Sequence, residues 1–427
     1  MTPLRYLHLH NNLKRPLSQL KQKQWDSFRH VVDFAWRRVP LYQRHFKKAG
    51  FHPSTLKSFE NIRDIPKMQK GILQLVAPSD CISVPYKPSQ LVKGRTSGSS
   101  GHPLDVYYTK EDWIYRALLH LRILFYNGMK FRDKIAHISD VRHSSDFEYF
   151  FQKLGFLSKA FVFIGDEADL QLRKLSEINP SVIYSYTSNM ILLADAVTAM
   201  PMCPIKPRLI FTTAELLTLE DRQIIEDAFH CPLCDIYGAV EMGDIAWQCK
   251  YRDGYHINID SFLVEVETDG RPSQPGESGK LVITNLHSLA MPFIRYELDD
   301  MVTVPEEEPC PCGCSFPRIR VLNGRSDDWL YTASGKRVSP LIFVIASIRG
   351  VGQYRIRQKA YDHIVVEILP GRDYNEHTLR LVRNHIIDVM GPNQKIEVRR
   401  KGYIPKEAGK MRRVISDIPA HLLYTET

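Results

Sequence analysis

The chain has 427 residues, 44% of them hydrophobic and 25% charged, which places it in the ordinary globular class and makes it long for a single core. Its 57 basic and 48 acidic residues give a net charge of +9, which nucleic acid, an acidic membrane surface or an anionic small substrate could each explain. The basic residues are spread along the chain, so we interpret the charge as a solvated surface. No apolar run reaches the length of a membrane span, and MTPLRYLHLHNNLKRPLSQL lacks a targeting signal. We therefore expect a cytoplasmic protein without a membrane span.

The amino-terminal segment 1–90 is predicted to be helical. Apolar residues recur at helical spacing in LSQLKQKQWDSFRHVVDFAWRRV, positions 17–39, and Pro40 ends that helix. From residue 107 onward, strand and helix patterns alternate. The predicted strands are 134–139, 160–165, 181–186 and 208–213, and the predicted helices are 111–126, 167–178, 188–200 and 219–230. This alternation indicates an α/β sheet with helices on its faces.

The sequence becomes rich in strands beyond residue 255, which predicts a β subdomain of about 255–323. A compact carboxy-terminal unit follows, with predicted strands at 353–358, 363–370 and 395–400 and a helix at 376–390. We expect two domains, a large one of residues 1–323 and a small α+β one of residues 324–427. Their hinge is predicted near Asn323 to Asp328.

Glycines and hydroxyl residues are concentrated in KGRTSGSSGHPLDVYY, positions 93–108. Glycine lets a backbone approach an anion closely, and Ser or Thr hydroxyls with free amides donate to phosphate oxygens. The segment is therefore typical of a phosphate-binding loop, although a flexible surface linker has a similar composition. It is not a Walker A motif, because no Gly-Lys-Ser or Gly-Lys-Thr follows at the required place.

Taken with the rest of the chain, this loop resembles the phosphate loop of the adenylate-forming superfamily, the acyl-CoA ligases and adenylation domains. Four further segments resemble motifs of that superfamily in the right order: DIYGAVEMG at 235–243, MPFIRYELDD at 291–300, NGRSDDWLYTASGKRVSP at 323–340 and PKEAGKMRRVIS at 405–416. The segments RRVPLYQRHFKKAGFHPSTLKSFENIRDIPKMQKGIL and CKYRDGYHINIDSFLVEV are similar to the phenylacetate-CoA ligase-like branch, which includes relatives associated with capsular polysaccharide biosynthesis.

The resemblance implies a large adenylate-forming domain, a small mobile lid domain and a two-step reaction. A carboxylate attacks the α-phosphate of ATP, pyrophosphate leaves, and the acyl-adenylate passes its acyl group to a thiol or another nucleophile. Such chemistry depends on positioned cations and donors, and a lid excludes water from the reactive intermediate. By this resemblance, Lys410 is the cation that bridges carboxylate and phosphate, and Glu241 is the magnesium ligand.

The same resemblance implies the nucleotide contacts. Asp235, Tyr237 and Gly238 would form the floor near adenine, and Asp300 would accept from the ribose hydroxyls. Asp327 would be the hinge residue. The full predicted nucleotide-binding set is Thr96, Ser97, Gly98, Ser99, Ser100, Gly101, Ala214, Glu215, Asp235, Tyr237, Gly238, Asp300 and Arg325. Ordinary strand-end packing is the alternative for Tyr237 and Asp235.

Several of the eight cysteines are closely spaced, which in a reducing compartment favours metal ligands over disulfides. Thiolates together with an imidazole suit a closed tetrahedral zinc site. Resemblance to the branch selects the ligands Cys249, His256, Cys310 and Cys312. Cys314 is the competing ligand, and Cys231 and Cys234 flank a buried-looking strand, for which we favour packing.

Three residues depart from the family pattern. His102 replaces the common lysine of the phosphate loop, Val240 removes a hydroxyl, and Asp299 stands where glycine is usual. These changes leave room for a slower enzyme or for an altered nucleotide geometry.

Three functions follow as hypotheses. The first is an ATP-dependent ligase for a small-molecule carboxylic acid, using ATP, Mg²⁺ and structural Zn²⁺, with coenzyme A, the phosphopantetheine arm of a carrier protein, or an amine or hydroxyl as acceptor. The second is a nucleotide-binding scaffold without turnover. The third is a basic zinc protein that binds nucleic acid, which the arrangement of cysteines and basic residues disfavours, so we expect no nucleic acid partner. A homodimer is expected by base rate only.

Overall fold

The computed structural model describes residues 2–96, 104–139, 152, 155–164, 166–304, 308–325, 330–334, 337–338, 345, 348–405 and 413–418. The chain forms two compact units: Met1–Met129 with Ile236–Leu322, and Lys130–Asp235 with Asn323–Thr427. The predicted hinge region begins at the junction between Leu322 and Asn323. The division into domains 1–323 and 324–427 stays a prediction.

Ten helices and twenty-one strands are bounded within the described residues. The helices are α1 Thr2–Asn12, α2 Leu17–Arg38, α3 Pro40–Lys48, α4 Lys70–Gln74, α5 Pro78–Cys81, α6 Lys110–Tyr126, α7 Ala168–Ile178, α8 Thr187–Thr198, α9 Leu219–Phe229 and α10 Glu376–Met390. The strands are β1 Val92–Arg95, β2 Asp105–Tyr108, β3 Ile135–Ser139, β4 Lys159–Phe163, β5 Val182–Tyr186, β6 Leu209–Thr213, β7 Leu233–Ala239, β8 Gly243–Trp247, β9 Tyr255–Ile257, β10 Phe262–Thr268, β11 Arg271–Pro272, β12 Ser278–Asn285, β13 Tyr296–Thr303, β14 Arg318–Ile319, β15 Val321–Arg325, β16 Leu330–Tyr331, β17 Arg337–Val338, β18 Val351–Ala360, β19 His363–Pro370, β20 Lys395–Arg400 and β21 Val414–Ser416.

Local sequence explains where the helices begin and end. Helix α6 starts at a capping box, in which the Thr109 hydroxyl accepts from the Asp112 amide at 3.0 Å and the Asp112 carboxylate accepts from the Thr109 amide at 2.9 Å. Helix α2 ends at Arg38 as predicted, but Pro40 then opens α3 at its first position, where a missing amide proton costs nothing.

The first unit combines the helices α1 to α6 with antiparallel strands. One set runs in the order β11-β10-β12-β13, and a second runs β14-β9-β8 and continues into the part of β7 that starts at Ile236. Strands β1 and β2 form a hairpin in which Val92 faces Tyr108 and Arg95 faces Asp105. One apolar core, including Phe28, Phe262 and Phe293, connects the helices with these strands.

The second unit contains the predicted alternation of strands and helices. Its parallel strands run β6-β5-β3-β4, with Ile183 facing Ile210 on one side and Ala136 on the other. The carboxy-terminal part has a four-stranded sheet in the order β20-β19-β18-β21, on which helix α10 packs through Val382 and Ile386. Parallel strands with intervening helices are buried on both faces, which is why these strand sequences are almost continuously apolar.

The predicted α/β fold class is confirmed, and the predicted helices agree with the observed ones to within two residues at each end. The sequence analysis missed the antiparallel hairpin of β7 and β8, because DIYGAVEMG interrupts the alternation of apolar and polar residues. Among the described helices, none combines the length and hydropathy that crossing a membrane requires.

Candidate active site and cysteine–histidine cluster

Glu241 lies in the tight turn between β7 and β8. The Met242 amide closes the turn on the Ala239 carbonyl at 3.1 Å. A Cβ atom at Gly238 would lie 2.6 Å from the Gly243 carbonyl oxygen, so the hairpin requires glycine there. The Glu241 side chain is buried, and Oε1 accepts a hydrogen bond from the Tyr296 hydroxyl at 3.2 Å. The turn therefore presents a buried carboxylate in a fixed position.

Tyr237 and Asp300, two predicted nucleotide-binding residues, are brought together. The Tyr237 hydroxyl donates to Asp300 Oδ2 at 2.5 Å, although the residues are 63 positions apart in sequence. Tyr237 comes from β7 and Asp300 from β13, the strand that also carries Tyr296. Two tyrosine–carboxylate pairs thus connect the hairpin with β13.

The carbonyl oxygen of Val240 accepts two hydrogen bonds. Arg116 Nη2 donates to it at 3.0 Å, and the Tyr108 hydroxyl donates to it as well. The Arg116 guanidinium lies 4.4 Å from the centre of the Tyr108 ring. Burial raises the pKa of Tyr108 to about 12, so this hydroxyl keeps its proton at neutral pH. The residue that departs from the family motif is therefore held through its backbone.

Two predicted contacts of the second unit lie at the carboxyl end of β6, and a third lies within β7. Ala214, with φ at +67°, and Glu215 directly follow β6. The Glu215 carboxylate accepts from the Ser188 amide at 2.6 Å and from its hydroxyl at 3.0 Å. Asp235 is buried in β7 and accepts from the Thr212 hydroxyl at 2.6 Å. Ligands of open α/β sheets bind at this end of the strands.

Thr96 closes the base of the β1–β2 hairpin, where its hydroxyl accepts from the Leu104 amide at 2.8 Å. Arg325 is the last residue of β15. The other predicted residues of the phosphate loop, Ser97, Gly98, Ser99, Ser100 and Gly101, lie outside the described residues, as do His102, Asp327 and Lys410. Their predicted roles stay predictions.

Four predicted zinc ligands converge in the first unit. The ligand atoms of Cys249, His256, Cys310 and Cys312 all lie within 4.8 Å of one another. Cys249 Sγ is 3.6 Å from Cys310 Sγ, and Cys312 Sγ is 3.3 Å from His256 Nε2. Ligand bonds of zinc length in a tetrahedron place donors about 3.5–3.8 Å apart, so the set fits zinc geometry.

The surroundings of this cluster orient its ligands. His256 Nδ1 lies 3.0 Å from the Phe316 carbonyl oxygen, and this contact orients the ring so that Nε2 faces the cysteine sulfur atoms. Burial raises the pKa of Cys249 to about 12. At Cys312 burial acts in the same direction, but hydrogen bonds from His256 and Tyr126 outweigh it and lower the pKa to about 6. The neighbours of Cys312 thus favour the thiolate form that metal binding requires.

The remaining cysteines lie elsewhere. Cys314 is buried outside the group of four, and burial raises the pKa of its thiol to about 12. Its amide donates to Cys312 Sγ at 3.4 Å, so its backbone supports the cluster. Cys231 and Cys234 are both buried, and Cys231 belongs to the apolar core of the second unit.

Sequence reasoning missed the residues that hold the predicted ones. Tyr108, Tyr296 and Arg116 contact the β7–β8 turn. Tyr108 and Tyr296 lie within segments that resemble the family but were given no role, and Arg116 lies outside those segments. One signal was present in the sequence: Asp112, Arg116 and His120 form a polar row at every fourth position of helix α6.

Comparison with known proteins finds similar chains and folds, although no family model matches the chain. The phenylacetate-coenzyme A ligase of Thermus thermophilus is 27% identical over 440 residues, which cover 94% of this chain and 97% of the relative. Protein CapK of Staphylococcus aureus is 22% identical, with 87% and 84% of the two chains covered. A crystal structure of a 2-hydroxyisobutyryl-CoA ligase with its acyl-adenylate superimposes with a TM-score of 0.79 at 23% identity, over 95% of this chain and 91% of that one.

The fold is that of the adenylate-forming ligases. In sequence the chain is similar over most of its length to acid–thiol ligases, and in particular to the phenylacetate-coenzyme A ligases and to protein CapK.

Proposed function

We propose that the protein activates a small carboxylic acid with ATP and transfers the acyl group to the thiol of coenzyme A. The observation that carries this proposal is the β7–β8 hairpin, which holds the buried Glu241 in its turn and Tyr237 in β7, each hydrogen-bonded to a residue of β13, Tyr296 and Asp300. Likeness to the phenylacetate-coenzyme A ligase and to a structure that holds an acyl-adenylate supports both half-reactions.

In the first step a carboxylate oxygen attacks the α-phosphorus, the bond to the bridging oxygen breaks, and pyrophosphate leaves. In the second step the thiolate attacks the acyl carbon and AMP leaves. Glu241 would hold Mg²⁺ beside the phosphates, since that ion takes one or two protein carboxylates and completes its shell with phosphate and water. Asp300, held by Tyr237, would accept from the ribose hydroxyls.

Lys410 would supply the positive charge that bridges the carboxylate and the α-phosphate during adenylation. Removing such a charge costs on the order of 10²–10³ in rate. Ala214 and Glu215 after β6, Asp235 within β7, Arg325 and the phosphate loop would complete the nucleotide contacts. Asp327 would be the hinge of the lid.

The test is pyrophosphate release from ATP and Mg²⁺ across a panel of aryl, fatty, amino and hydroxy acids. Release should depend on one class of acid and should fall at least a hundredfold in Lys410→Ala and in Glu241→Gln. Lys395→Ala, which removes an exposed lysine on β20, is the matched control and should retain the wild-type rate. Full adenylation by Lys410→Ala would overturn its assignment.

The acceptor is tested separately by adding coenzyme A, a phosphopantetheine-loaded carrier protein or hydroxylamine after the adenylate has formed. We expect coenzyme A to release AMP fastest. Faster AMP release with the carrier or with the amine would instead indicate a role in polymer assembly. Likeness to CapK supports a role in capsular polysaccharide biosynthesis.

A nucleotide-binding scaffold is the second candidate, since Val240 and Asp299 depart from the family motifs. Binding of ATP without pyrophosphate release from any acid would favour it. We further propose that Cys249, His256, Cys310 and Cys312 bind a structural zinc ion. A cytoplasmic location and a homodimer stay predictions.

A further inference from the structure

Arg116 is held beside the β7–β8 turn with only part of its hydrogen-bonding capacity used. Its Nη2 donates to the Val240 carbonyl at 3.0 Å, and its ring contact is with Tyr108. Nη1 is buried and has no hydrogen-bond partner. The guanidinium also lies against Gly243, where an added Cβ would approach Arg116 Nε to 3.2 Å. The residue is therefore fixed, charged and incompletely paired.

His287, which packs against helix α6, is a second incompletely paired group. Its ring stacks on Tyr115, the neighbour of Arg116, with 4.3 Å between ring centres. Nδ1 lies 3.4 Å from the Ser261 carbonyl oxygen, and Nε2 is buried without a hydrogen-bond partner. Burial, followed by the charge of Arg116, lowers the pKa of His287 to about 3. The imidazole is therefore neutral, and with its proton on Nδ1 its Nε2 is an acceptor.

Buried polar groups in folded proteins almost always have partners, because an unpaired buried donor or acceptor is destabilising. Here two such groups lie around adjacent residues of one helix. A guanidinium donor matches an anionic oxygen, and a neutral imidazole nitrogen matches a hydroxyl proton. Within the described part of the chain neither atom finds that partner, so a bound ligand would supply it.

The position of Arg116 next to the β7–β8 turn suggests that the ligand of these two unpaired groups is the acid substrate. The guanidinium binds the backbone of Val240, the residue directly before Glu241. If Glu241 holds Mg²⁺ at the phosphates, a short acid whose carboxylate reaches the α-phosphate extends past this turn. Its far end would then lie beside helix α6.

Resting on the proposed function, we infer that the acid substrate carries a second anionic group, bound by Arg116, and that a hydroxyl on its chain donates to His287 Nε2. The substrate class is thus small dicarboxylic acids, with hydroxylated ones preferred. Apolar aryl acids would leave both groups unpaired.

The experiment compares kcat/KM for pyrophosphate release with matched acids. Succinic against butyric acid isolates the second carboxylate, malic against succinic acid isolates the hydroxyl, and phenylacetic acid represents the apolar class. We expect wild type to prefer succinic to butyric acid at least tenfold, since a charge-assisted hydrogen bond in a desolvated site is worth that much. Malic acid should exceed succinic acid severalfold.

Arg116→Met keeps the length of the side chain and removes its charge, so the succinic-to-butyric ratio should collapse toward one. Arg116→Lys keeps the charge and should retain part of the ratio, which also covers the case that the Met variant fails to fold. His287→Phe keeps the stack on Tyr115 and should remove only the preference for malic acid. Arg29→Met, at an exposed position of α2, is the control and should change neither ratio.

The two proposals fail differently. Fast release with phenylacetic or butyric acid, unchanged in ratio by Arg116→Met, would overturn the inference and leave the ligase intact. ATP binding without release from any acid would overturn the proposed function and the inference with it.

Discussion

Two arginines of helix α6 differ in how fully they are paired. Arg122 is completely buried, and its two Nη atoms make four hydrogen bonds, to the Leu9 carbonyl at 2.9 Å, to Asn258 at 2.7 Å and to both oxygens of Asp260 at 2.6 and 3.1 Å. Arg116, six positions earlier, donates from Nη2 to the Val240 carbonyl, and its buried Nη1 has no partner among the described residues. Six positions on a helix separate the two side chains onto different faces.

The contrast teaches that burial of an arginine does not by itself indicate its role. Arg122 has a dedicated carboxylate and connects the amino-terminal helix with the β strands, which is a structural task. Arg116 has a fixed stem and an unfilled donor, which suits a ligand. Both leave one buried donor without a partner among the described residues, Nε in Arg122 and Nη1 in Arg116, so the number of filled donors and the partial exposure of Arg116 separate the two.

The largest effect is expected from Arg122→Met. Removing one partner leaves the Asp260 carboxylate buried and unpaired, which costs about 3–5 kcal/mol of unfolding free energy. Urea denaturation of the variant beside Arg29→Met measures this loss. A loss below about 1 kcal/mol would show that Arg122 is no more structural than a surface arginine.

In Arg122→Met, the contribution of Asp260 to the pH dependence of the unfolding free energy should change sign. In wild type, burial raises the pKa of Asp260, but Arg122 outweighs burial and the pKa lies below the ordinary 3.8. The ionised Asp260 therefore stabilises the fold above pH 3.8, and this stabilisation disappears only as pH falls through the lower folded pKa. Without Arg122, burial alone raises the pKa, and the variant should gain stability relative to wild type as pH falls from 7 toward 4. A parallel dependence in both proteins would contradict this account of the pair.

The cysteine–histidine cluster is a further group of buried polar side chains, and its four donor atoms would complete the coordination shell of the proposed zinc ion. With free zinc at a thousand times its dissociation constant, binding stabilises the fold by about 4 kcal/mol. Chelation should lower the unfolding free energy by that amount, and Cys249→Ser should abolish zinc binding measured by elemental analysis. Cys231→Ser, at a buried cysteine outside the cluster, should keep its zinc; equal zinc in both variants would refute the ligand set.

A third arginine, Arg413 of the second unit, is also paired with a buried carboxylate, so we expect it to have a structural role like that of Arg122. Its Nη1 donates to the buried Asp221 at 2.7 Å, and its guanidinium lies 5.9 Å from the centre of the Tyr354 ring. Asp221→Asn keeps an oxygen for the start of helix α9 but loses the charge, so we expect a loss of about 2 kcal/mol in urea denaturation. Asp227→Asn, an exposed residue of the same helix, is the control and should change stability by less than about 0.5 kcal/mol.

The smallest effect on stability is expected from Arg116→Met. The bond to the Val240 carbonyl is lost, but the burial of an unpaired Nη1 is relieved, and the two changes nearly cancel within about 1 kcal/mol. A loss equal to that of Arg122→Met in the same denaturation series would erase the distinction between the two arginines.

The sequence predicted the elements better than their side-chain partners. Apolar spacing determined helices such as Leu17–Arg38 and Lys110–Tyr126, because periodicity reports which face of an element is buried. It carries no information about which distant residue meets that face. The pairs Tyr237–Asp300 and Arg116–Val240 join positions 63 and 124 apart, and only the packing of β7, β13 and α6 brings them together.

Motif resemblance reached further than periodicity for the cysteines. It named four ligands whose atoms the fold assembles, because their chemistry restricts the choice to a few residue types. The same resemblance gave no role to Tyr296, which donates to Glu241, although Tyr296 lies within the segment MPFIRYELDD. Whether zinc occupies the cluster stays a prediction.

The anchoring of helix α1 has a consequence for how the chain is made. Asn12 donates to Asp260 across 248 positions, and the Ser315 amide donates to the Leu13 carbonyl. On a ribosome that adds about 5–20 residues per second, the first helix therefore waits on the order of fifteen seconds or more for its partners to be synthesised. Until then helix α1 can pack only on nearer partners such as Phe125 of α6, so its final anchoring is a late event in the synthesis of the chain.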